Sequence, residues 1–285
     1  MKYTFIAAHE QEFQVRRMCR ALEVKRSGYY AWRKREPSTR AQANQALLDM
    51  IKTEHNNSRK TYGSPRLFVL LRRKGVKCGR NRVARLMRLN GIRTLTKRRY
   101  HPKTTQRQPG AVPAPNRLNQ NFSALAPNQK WVSDFTYIET GEGWLYLAVV
   151  LDLFSRKVIG WSMSQQMDTA LVEAALRMAL LGRRPPTGLL HHSDQGSQYT
   201  SVAYRACLTD ASAQLSMSGV GNCYDNAVIE SFFATLKTEC VIAPFPTCSL
   251  ARTTIFEFME VWYNRQRLHS TLGYHSPVDF EQLTL

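Results

Sequence analysis

The stretch GVGNCYDNAVIESFFATLK, residues 219–237, decides how the rest of the chain is interpreted. Its glycine- and asparagine-rich first half predicts a loop, after which Asp225 or Asn226 can cap a helix that begins near Ala227. Apolar residues recur on that helix at helical spacing and are expected to pack inward: Ile229, Phe232, Phe233 and Leu236. Glu230 and Lys237 lie about two turns apart on another face. A carboxylate placed there suits metal ligation, whereas the plainer alternative is a solvated Glu and Lys on an amphipathic helix.

The segments before this stretch predict an α/β sheet. Strands are expected over 130–138, 144–152 and 157–162, then a helix over 170–181, a strand over 188–192, a helix over 201–208 and a strand over 213–217. Three meandering strands followed by alternating helices and strands favour a mixed sheet with polar residues at strand ends.

Three carboxylates stand out in this sheet. Asp134 lies within the first strand, Asp194 follows the fourth, and 35 residues separate Asp194 from Glu230. If the first and fourth strands are neighbours, the two aspartates meet at one edge and the glutamate can lean over them. Because clustered carboxylates repel, such a group implies divalent cations. Two Mg²⁺ ions about 4 Å apart, with Mn²⁺ able to substitute, would activate a water or sugar hydroxyl and stabilise an oxygen leaving phosphorus.

The positive charge is concentrated at one end of the chain. The 285 residues carry a net charge of +19, of which residues 1–120 hold 29 basic against 6 acidic side chains and residues 121–285 hold 11 against 15. A basic arm joined to an ordinary globular part indicates a polyanion-binding segment, and nucleic acid is the obvious polyanion.

Helices are expected in this arm over 12–22, from Tyr29 to Arg35 after a break at Ser27-Gly28, and over 41–54. Ser64-Pro65 opens a helix over 66–73 that Gly75 ends, and a second helix follows over 80–89. The second helix buries one apolar face and leaves four basic side chains for the other: Arg80, Arg82, Arg85 and Arg88. This pair predicts a helix-turn-helix with its second helix in a major groove, the alternative being a helical hairpin with a solvated basic face.

Residues 94–120 combine prolines with a basic run, Lys97, Arg98 and Arg99, and show no apolar periodicity. This composition predicts a flexible cationic tether that adds phosphate contacts without choosing a sequence.

Four further features have plain explanations. Asp152 is expected to form a turn-stabilising ion pair with Arg156, and Asp225 to cap a helix or face DNA rather than ligate a metal. His191 and His192 have no partner at zinc-ligand spacing, so a structural or DNA-proximal role is expected. A helix over 250–267 would pack as a lid and offer Arg267 to phosphate.

Six scattered cysteines without a C-x-x-C pair indicate reduced thiols, and no apolar run is long enough for a signal peptide or a membrane span. A soluble cytoplasmic protein is therefore expected.

Several motifs together resemble one family. They are WVSDFTY at 131–137, LDLFSR at 151–156, HSDQGSQY at 192–199, DNAVIESFF at 225–233 with Leu236-Lys237, and YN…R…HSTL…SP over 263–277. The chain is similar, over nearly its whole length, to the second-reading-frame, catalytic half of insertion-sequence transposases of the IS-three family. YGSP at 62–65 also fits, although Gly79 stands where a Ser or Asn cap is more usual.

The resemblance implies a ribonuclease-H-like mixed five-stranded sheet flanked by helices, with an all-α helix-turn-helix arm. The charge and element pattern divide the chain into a helical arm over 1–93, a basic linker over 94–128 and a core over 129–285, which the resemblance identifies as integrase-like. The resemblance also implies an Asp-Asp-Glu metal triad at Asp134, Asp194 and Glu230, and Lys237 as a contact to the element's terminal DNA.

The implied activity is DNA transposition: strand cleavage at the element ends, then attack of the freed 3′-hydroxyl on a phosphodiester, with the first attack joining one end to the other. The implied partners are end and target DNA, further copies of the chain on DNA, and the upstream-frame protein or a fusion with it. The alternatives are a Mg²⁺-dependent nuclease of the same fold and a DNA-binding regulator with an inactive core.

Overall fold

The computed structural model describes residues 1–95, 113–219 and 223–284. Six helices form the N-terminal third: α1 (Lys2–Ala8), α2 (Val15–Ala21), α3 (Arg26–Lys34), α4 (Thr39–Asn57), α5 (Ser64–Arg73) and α6 (Arg80–Leu89). The following part holds β1 (Lys130–Thr140), β2 (Gly143–Asp152), β3 (Val158–Ser164), α7 (Thr169–Arg183), β4 (Leu190–Ser193), α8 (Ser197–Thr200), α9 (Val202–Asp210) and β5 (Gln214–Met217). The chain continues through α10 (Ala227–Glu239), α11 (Cys248–Glu257) and α12 (Pro277–Thr284).

The predicted helix-turn-helix is confirmed in α5 and α6. Pro65 occupies the first turn of α5, where its missing N–H is not needed, and Gly75 follows the helix at φ 80°. The apolar faces are buried as expected, with Leu67 and Leu71 on α5 and a second set on α6: Val83, Leu86 and Met87.

The break predicted at Ser27-Gly28 is wrong, because α3 runs through both residues and the chain turns earlier, at Glu23 with φ 54°. Gly28 is needed for close packing between helices and not for a turn. A Cβ at this position would collide with the Tyr3 hydroxyl of α1, a helix that the sequence pattern did not predict.

The five strands form one mixed sheet, as predicted, and their order is β3-β2-β1-β4-β5. β1, β2 and β3 pair antiparallel, while β4 runs parallel to both β1 and β5. The central strands are buried on both faces, which explains the nearly continuous apolar run from Leu145 to Leu151.

Helices cover both faces of the sheet. One face packs with α7 and α9 around Trp131, and the other forms a larger cluster with α10 and α11. Helix α7 approaches β3 closely at Gly160, where an added Cβ would lie 2.8 Å from the Cβ of Ala179.

Apolar side chains of α4, α5 and α6 belong to the same cluster as the α10 face of the sheet. The cluster contains Leu47, Leu67 and Leu86 from these helices, together with Leu147 of β2 and Phe232 of α10. The N-terminal helices therefore contact the sheet domain directly, and the domain boundaries at residues 93 and 128 stay a prediction.

The prediction of a tether is wrong for residues 113–120. Leu118 is 1% exposed, and the backbone N–H groups of Arg117 and Leu118 donate to Ser216 Oγ at the end of the sheet. A single buried leucine produces no periodicity, which is why composition alone suggested free chain. Residues 96–112 lie outside the described ranges.

The predicted C-terminal helix is present but not regular. After Glu257 the chain widens into a π-helical stretch, Phe258–Tyr263, in which the N–H of Asn264 reaches the carbonyl of Met259. The wider turn buries four side chains at once: Phe258, Met259, Trp262 and Tyr263.

No helix in the described ranges is long and apolar enough to cross a membrane. Cys19, Cys78, Cys207, Cys240 and Cys248 are free thiols.

Candidate active site

The two aspartates lie side by side because β1 and β4 are parallel neighbours. Trp131 pairs with His191 and Val132 with His192, so the same register, continued by two residues, brings Asp134 beside Asp194. β4 ends at Ser193, which leaves Asp194 at the carboxyl end of its strand. Carboxyl ends of parallel strands commonly hold the functional groups of α/β sheets.

Each aspartate is oriented by its own backbone. The N–H of Phe135 donates to Asp134 Oδ1 at 2.8 Å, and the N–H of Gly196 donates to Asp194 Oδ1 at 2.9 Å. Both side chains are partly buried and keep some exposure to solvent. The site is therefore ordered and still open to a ligand.

Helix α10 packs against β1 and brings two charged side chains toward Asp134. Burial raises the pKa of Asp134 well above its ordinary value, the charges of Asp194 and then Glu230 raise it further, and Lys237 opposes the rise. Glu230 is exposed, whereas Lys237 is half-buried with its Nζ 4.7 Å from the centre of the Tyr137 ring. The electrostatic neighbours of Asp134 therefore include both other predicted ligands and the predicted DNA contact.

The donor set suits a hard cation, since it consists of carboxylate oxygens. As they stand, no three His, Cys, Asp or Glu side chains in the described part of the chain are grouped closely enough to hold a metal ion. The site thus contains mutually repelling carboxylates whose close approach a divalent cation would favour.

Tyr137 was missed at the sequence level. Its ring supports the Lys237 ammonium, a cation–π contact, and meets Trp144 edge-on with 5.1 Å between ring centres. The sequence signal for this role was the position of Tyr137, an aromatic residue three positions after Asp134, the metal ligand predicted on the first strand.

The predicted groove-binding arginines line the outer side of α6. Arg80 and Arg88 are exposed, while Arg82 and Arg85 are half-buried. Arg82 donates from Nε to Asn44 Oδ1 at 2.8 Å and lines, with Arg85 and Arg40, a surface groove between α4 and α6. Lys97, Arg98 and Arg99 lie outside the described residues.

Asp152 stabilises a turn as expected, but with a different ion-pair partner. It accepts hydrogen bonds from the backbone N–H groups of Asn128 and Phe154, and its ion pair is with Arg183 at 3.7 Å. Arg156 instead donates to the carbonyl of Phe122 at 3.3 Å. Helix α7 carries Arg183 to this turn, a contact that local spacing cannot reveal.

Asp225 is not the cap of α10. The N-cap residue is Asn226, which makes no side-chain capping bond, and Asp225 is buried, accepting from Asn116 Nδ2 and the N–H of Gly219. Asp225 therefore ties the segment before α10 to the chain that enters the sheet.

The two histidines are structural. His191 Nε2 lies 2.9 Å from Ser133 Oγ and 3.1 Å from the Tyr204 hydroxyl, and His192 Nδ1 lies 2.8 Å from Ser216 Oγ. Burial lowers the pKa of His191 to about 3 and that of His192 to about 4. Both rings are thus neutral members of the core between β1, β4 and β5.

Arg267 is buried and not displayed to solvent. Its Nε and Nη2 donate to both oxygens of Glu239 at 2.9 and 2.7 Å. Its guanidinium still lines a cavity that opens to solvent, so its contact with phosphate stays a prediction.

The chain matches three family models: "Integrase core domain" over residues 124–223, a second "Integrase core domain" over 211–277, and "HTH-like domain" over 42–100. It is 44% identical over 288 residues to "Transposase InsF for insertion sequence IS3A" of Escherichia coli strain K12, with 100% of both chains covered. It is 45% identical over 266 residues to "Insertion element IS600 uncharacterized 31 kDa protein" of Shigella sonnei, covering 93% of this chain and 97% of that protein. A chain of the simian T-cell lymphotropic virus intasome solved in complex with PP2A regulatory subunit B56 gamma matches at 14% identity and a TM-score of 0.47, covering 81% of this chain and 74% of that chain.

Proposed function

This chain belongs to the IS3 family of insertion-sequence transposases, and from that membership we propose how its own residues carry out DNA transposition. Asp134, Asp194 and Glu230 form the catalytic triad. The reaction first adds water across a phosphodiester at each element end, which frees a 3′-hydroxyl. That hydroxyl then attacks a second phosphodiester, so one ester replaces another without a covalent protein intermediate.

The observation that carries this proposal is the parallel pairing of β1 and β4, which brings Asp134 beside Asp194, together with the packing of α10 on β1. The charges of Asp194 and Glu230 act on the Asp134 carboxyl, and the pKa of Asp134 is raised by burial and by both of them. Repulsion among these carboxylates costs free energy, so the cluster is retained where a bound cation offsets that cost.

Asp134, Asp194 and Glu230 would hold two Mg²⁺ ions, with Mn²⁺ able to substitute. Bound divalent ions supply activation of the attacking water or 3′-hydroxyl and stabilisation of the oxygen that leaves phosphorus. The backbone hydrogen bonds to Asp134 and Asp194 keep each carboxylate in one orientation. Glu230 approaches from α10, on the solvent side of the pair.

Lys237 is proposed to contact a phosphate of the terminal DNA, because its ammonium lies near Asp134 and on the Tyr137 ring. The arginines of α6 are proposed to contact end DNA, with Arg80 and Arg88 the exposed pair. The chain would act as an oligomer on DNA, in the cytoplasm, alone or fused to the upstream-frame protein.

The test is a strand-transfer assay with purified protein, labelled end DNA, target plasmid and Mg²⁺. Asp194→Asn should reduce joining by more than about 100-fold while end binding is retained. Loss of a residue that only supports a metal ligand costs about 10–100-fold, so a larger loss indicates a direct ligand. Asp210→Asn is the matched control, since it removes the same charge at the exposed end of α9. Survival of joining in Asp194→Asn contradicts the triad assignment.

The same assay separates the rival activities. Cleavage without joining would indicate a nuclease, and a shifted band without chemistry would indicate a regulator with an inactive core. Family membership favours neither rival.

A further inference from the structure

A cavity of about 590 Å³ lies between the N-terminal helices and the helix that carries Glu230. Its walls are the start of α5, one side of α10 and the segment 263–271, and they include three arginines: Arg66, Arg156 and Arg267. Glu239 is the one carboxylate among the described lining residues. The cavity is therefore strongly positive.

Glu239 is already engaged. Both of its oxygens accept from Arg267, and the two side chains are 8% and 6% exposed. The remaining nitrogen of that guanidinium, Nη1, lies 3.2 Å from His269 Nε2. This pair is balanced, and Arg66 and Arg156 remain as cations on the cavity wall that form no ion pair in the described part of the chain.

Neither of those arginines forms an ion pair among the described residues, and the more distant charges of Glu239 and Asp152 act on Arg66 and Arg156, respectively. Arg156 Nη2 donates to the Phe122 carbonyl at 3.3 Å, whereas Arg156 Nη1 is buried and has no hydrogen-bond partner in the described part of the chain. The guanidinium of Arg66 lies 5.6 Å from the centre of the Tyr62 ring. Both side chains are half-buried, and enclosing a cationic group such as Arg156 Nη1 without a hydrogen-bond partner costs free energy, so its retention needs a reason.

The guanidinium groups of Arg66, Arg156 and Arg267 line the same cavity, and their charges act on the same neighbour, His269. Burial lowers the pKa of Arg66, and the charge of Arg267 lowers it further. Burial lowers the pKa of His269 to about 3, with contributions from all three arginines. The imidazole is thus neutral at physiological pH and adds no charge to the cavity.

Arg156 also occupies an unusual backbone conformation. Its φ is 60°, the left-handed region that a glycine or asparagine adopts at lower cost. An arginine at this turn between β2 and β3 places its side chain on the cavity at the expense of backbone strain.

We propose that this cavity binds a phosphate group, held by Arg66 and Arg156 beside the Arg267–Glu239 pair. Guanidinium is the side-chain group best matched to phosphate oxygens, and Ser231 and Thr235 of α10 add hydroxyl groups to the wall. The volume falls within the range of roughly 300–1,000 Å³ that accommodates nucleotide-sized ligands. The phosphate comes either from a DNA strand or from a free phosphate compound, and only the first source rests on the proposed function.

The test measures two quantities on full-length protein: the melting temperature in sodium phosphate against sodium chloride at equal ionic strength, and the affinity for a fluorescent single-stranded oligonucleotide. Variants are Arg66→Gln and Arg156→Gln. Arg72→Gln is the matched control, because it removes the same charge from the same helix, α5, at an exposed position that does not line the cavity.

Without phosphate, Arg66→Gln should melt at the same or a higher temperature than wild type, because repulsion among the arginines is relieved. With phosphate, the stabilisation of wild type and Arg72→Gln should be lost in both cavity variants. Oligonucleotide affinity should fall roughly tenfold or more, as expected for losing a charge-assisted hydrogen bond.

Loss of phosphate stabilisation together with weaker oligonucleotide binding supports the site and identifies a nucleic acid strand as its ligand. Loss of phosphate stabilisation with unchanged oligonucleotide affinity supports the site for free phosphate. If both cavity variants behave as Arg72→Gln does in both measurements, the inference is overturned. Asp194→Asn should keep the full phosphate response, so failure of the proposed chemistry is distinguishable from failure of this site.

Discussion

Replacing Glu239 by Gln should destabilise the protein far more than an ordinary surface substitution. The carboxylate is 8% exposed and accepts two hydrogen bonds from Arg267, whose guanidinium is equally enclosed. Burial lowers the pKa of Arg267, but its hydrogen bond and charge interaction with Glu239 raise it above its ordinary value. The variant would leave Arg267 buried without its ion-pair partner, beside the charges of Arg66 and Arg156.

Removing one partner of a buried ion pair costs about 3–5 kcal/mol. At ~2 °C per kcal/mol for a chain of this size, the melting temperature should fall by roughly 6–10 °C. The measurement is urea-induced unfolding at pH 7, followed by fluorescence, together with a thermal scan.

Glu257→Gln is the control, since the Glu257 side chain is 57% exposed in its ion pair with Arg59. Its cost should stay below about 1 kcal/mol. The double variant Glu239→Gln with Arg267→Met should recover much of the loss, because no charge is then left alone. If Glu239→Gln costs no more than Glu257→Gln, the pair is not the electrostatic centre of this region and the reasoning fails.

Two further perturbations test the fold. Gly160→Ala should destabilise the protein by about 1–3 kcal/mol, because the new methyl group would lie 2.8 Å from the Cβ of Ala179 on α7. The control is Gly182→Ala, which lies on α7 with open space around it and should stabilise by about 0.5–1 kcal/mol. Equal effects of the two variants in urea unfolding would contradict the close approach of α7 to β3. His269 has a pKa of about 3 when folded and near 6.5 when unfolded, so the unfolded chain binds more protons between these values and stability falls as pH falls through that window. Between pH 7.5 and pH 5 this residue should contribute a loss of about 2 kcal/mol, and His269→Gln should reduce the measured pH dependence by that amount; an unchanged slope would show that His269 titrates normally.

The local elements followed from the sequence with small errors. Helix α6 was predicted with its observed bounds, because its three apolar residues at helical spacing and the Asn90-Gly91 stop are local signals. The strand boundaries were predicted within two residues, since their β-branched and aromatic runs are bounded by turns.

The errors have a common cause. Gly28 lies inside α3 and not at a turn, because its missing side chain makes room for Tyr3 of another helix. Leu118 packs on the sheet although its neighbours have the composition of free chain. In both cases a single long-range contact outweighs the local preference, and such a contact leaves no periodic pattern in the sequence from which it could be predicted.

Long charged side chains were the least predictable. Asp152 was matched with Arg156, four residues away, but pairs with Arg183 from α7. Arg267 was expected to contact phosphate, and nothing in the sequence indicated its ion pair with Glu239. Sequence spacing identifies partners only within one helix or hairpin, whereas these side chains reach across elements.

By itself, the sequence determined the order of helices and strands, the basic N-terminal arm and the three candidate carboxylates, because each depends on residue type and local spacing. Only the tertiary structure decided the parallel register of β1 and β4 that brings Asp134 beside Asp194, and the enclosure of three arginines around one carboxylate. The physical reason is range: backbone propensity acts over a few residues, while strand register and buried charge pairing are set by packing among segments distant along the chain.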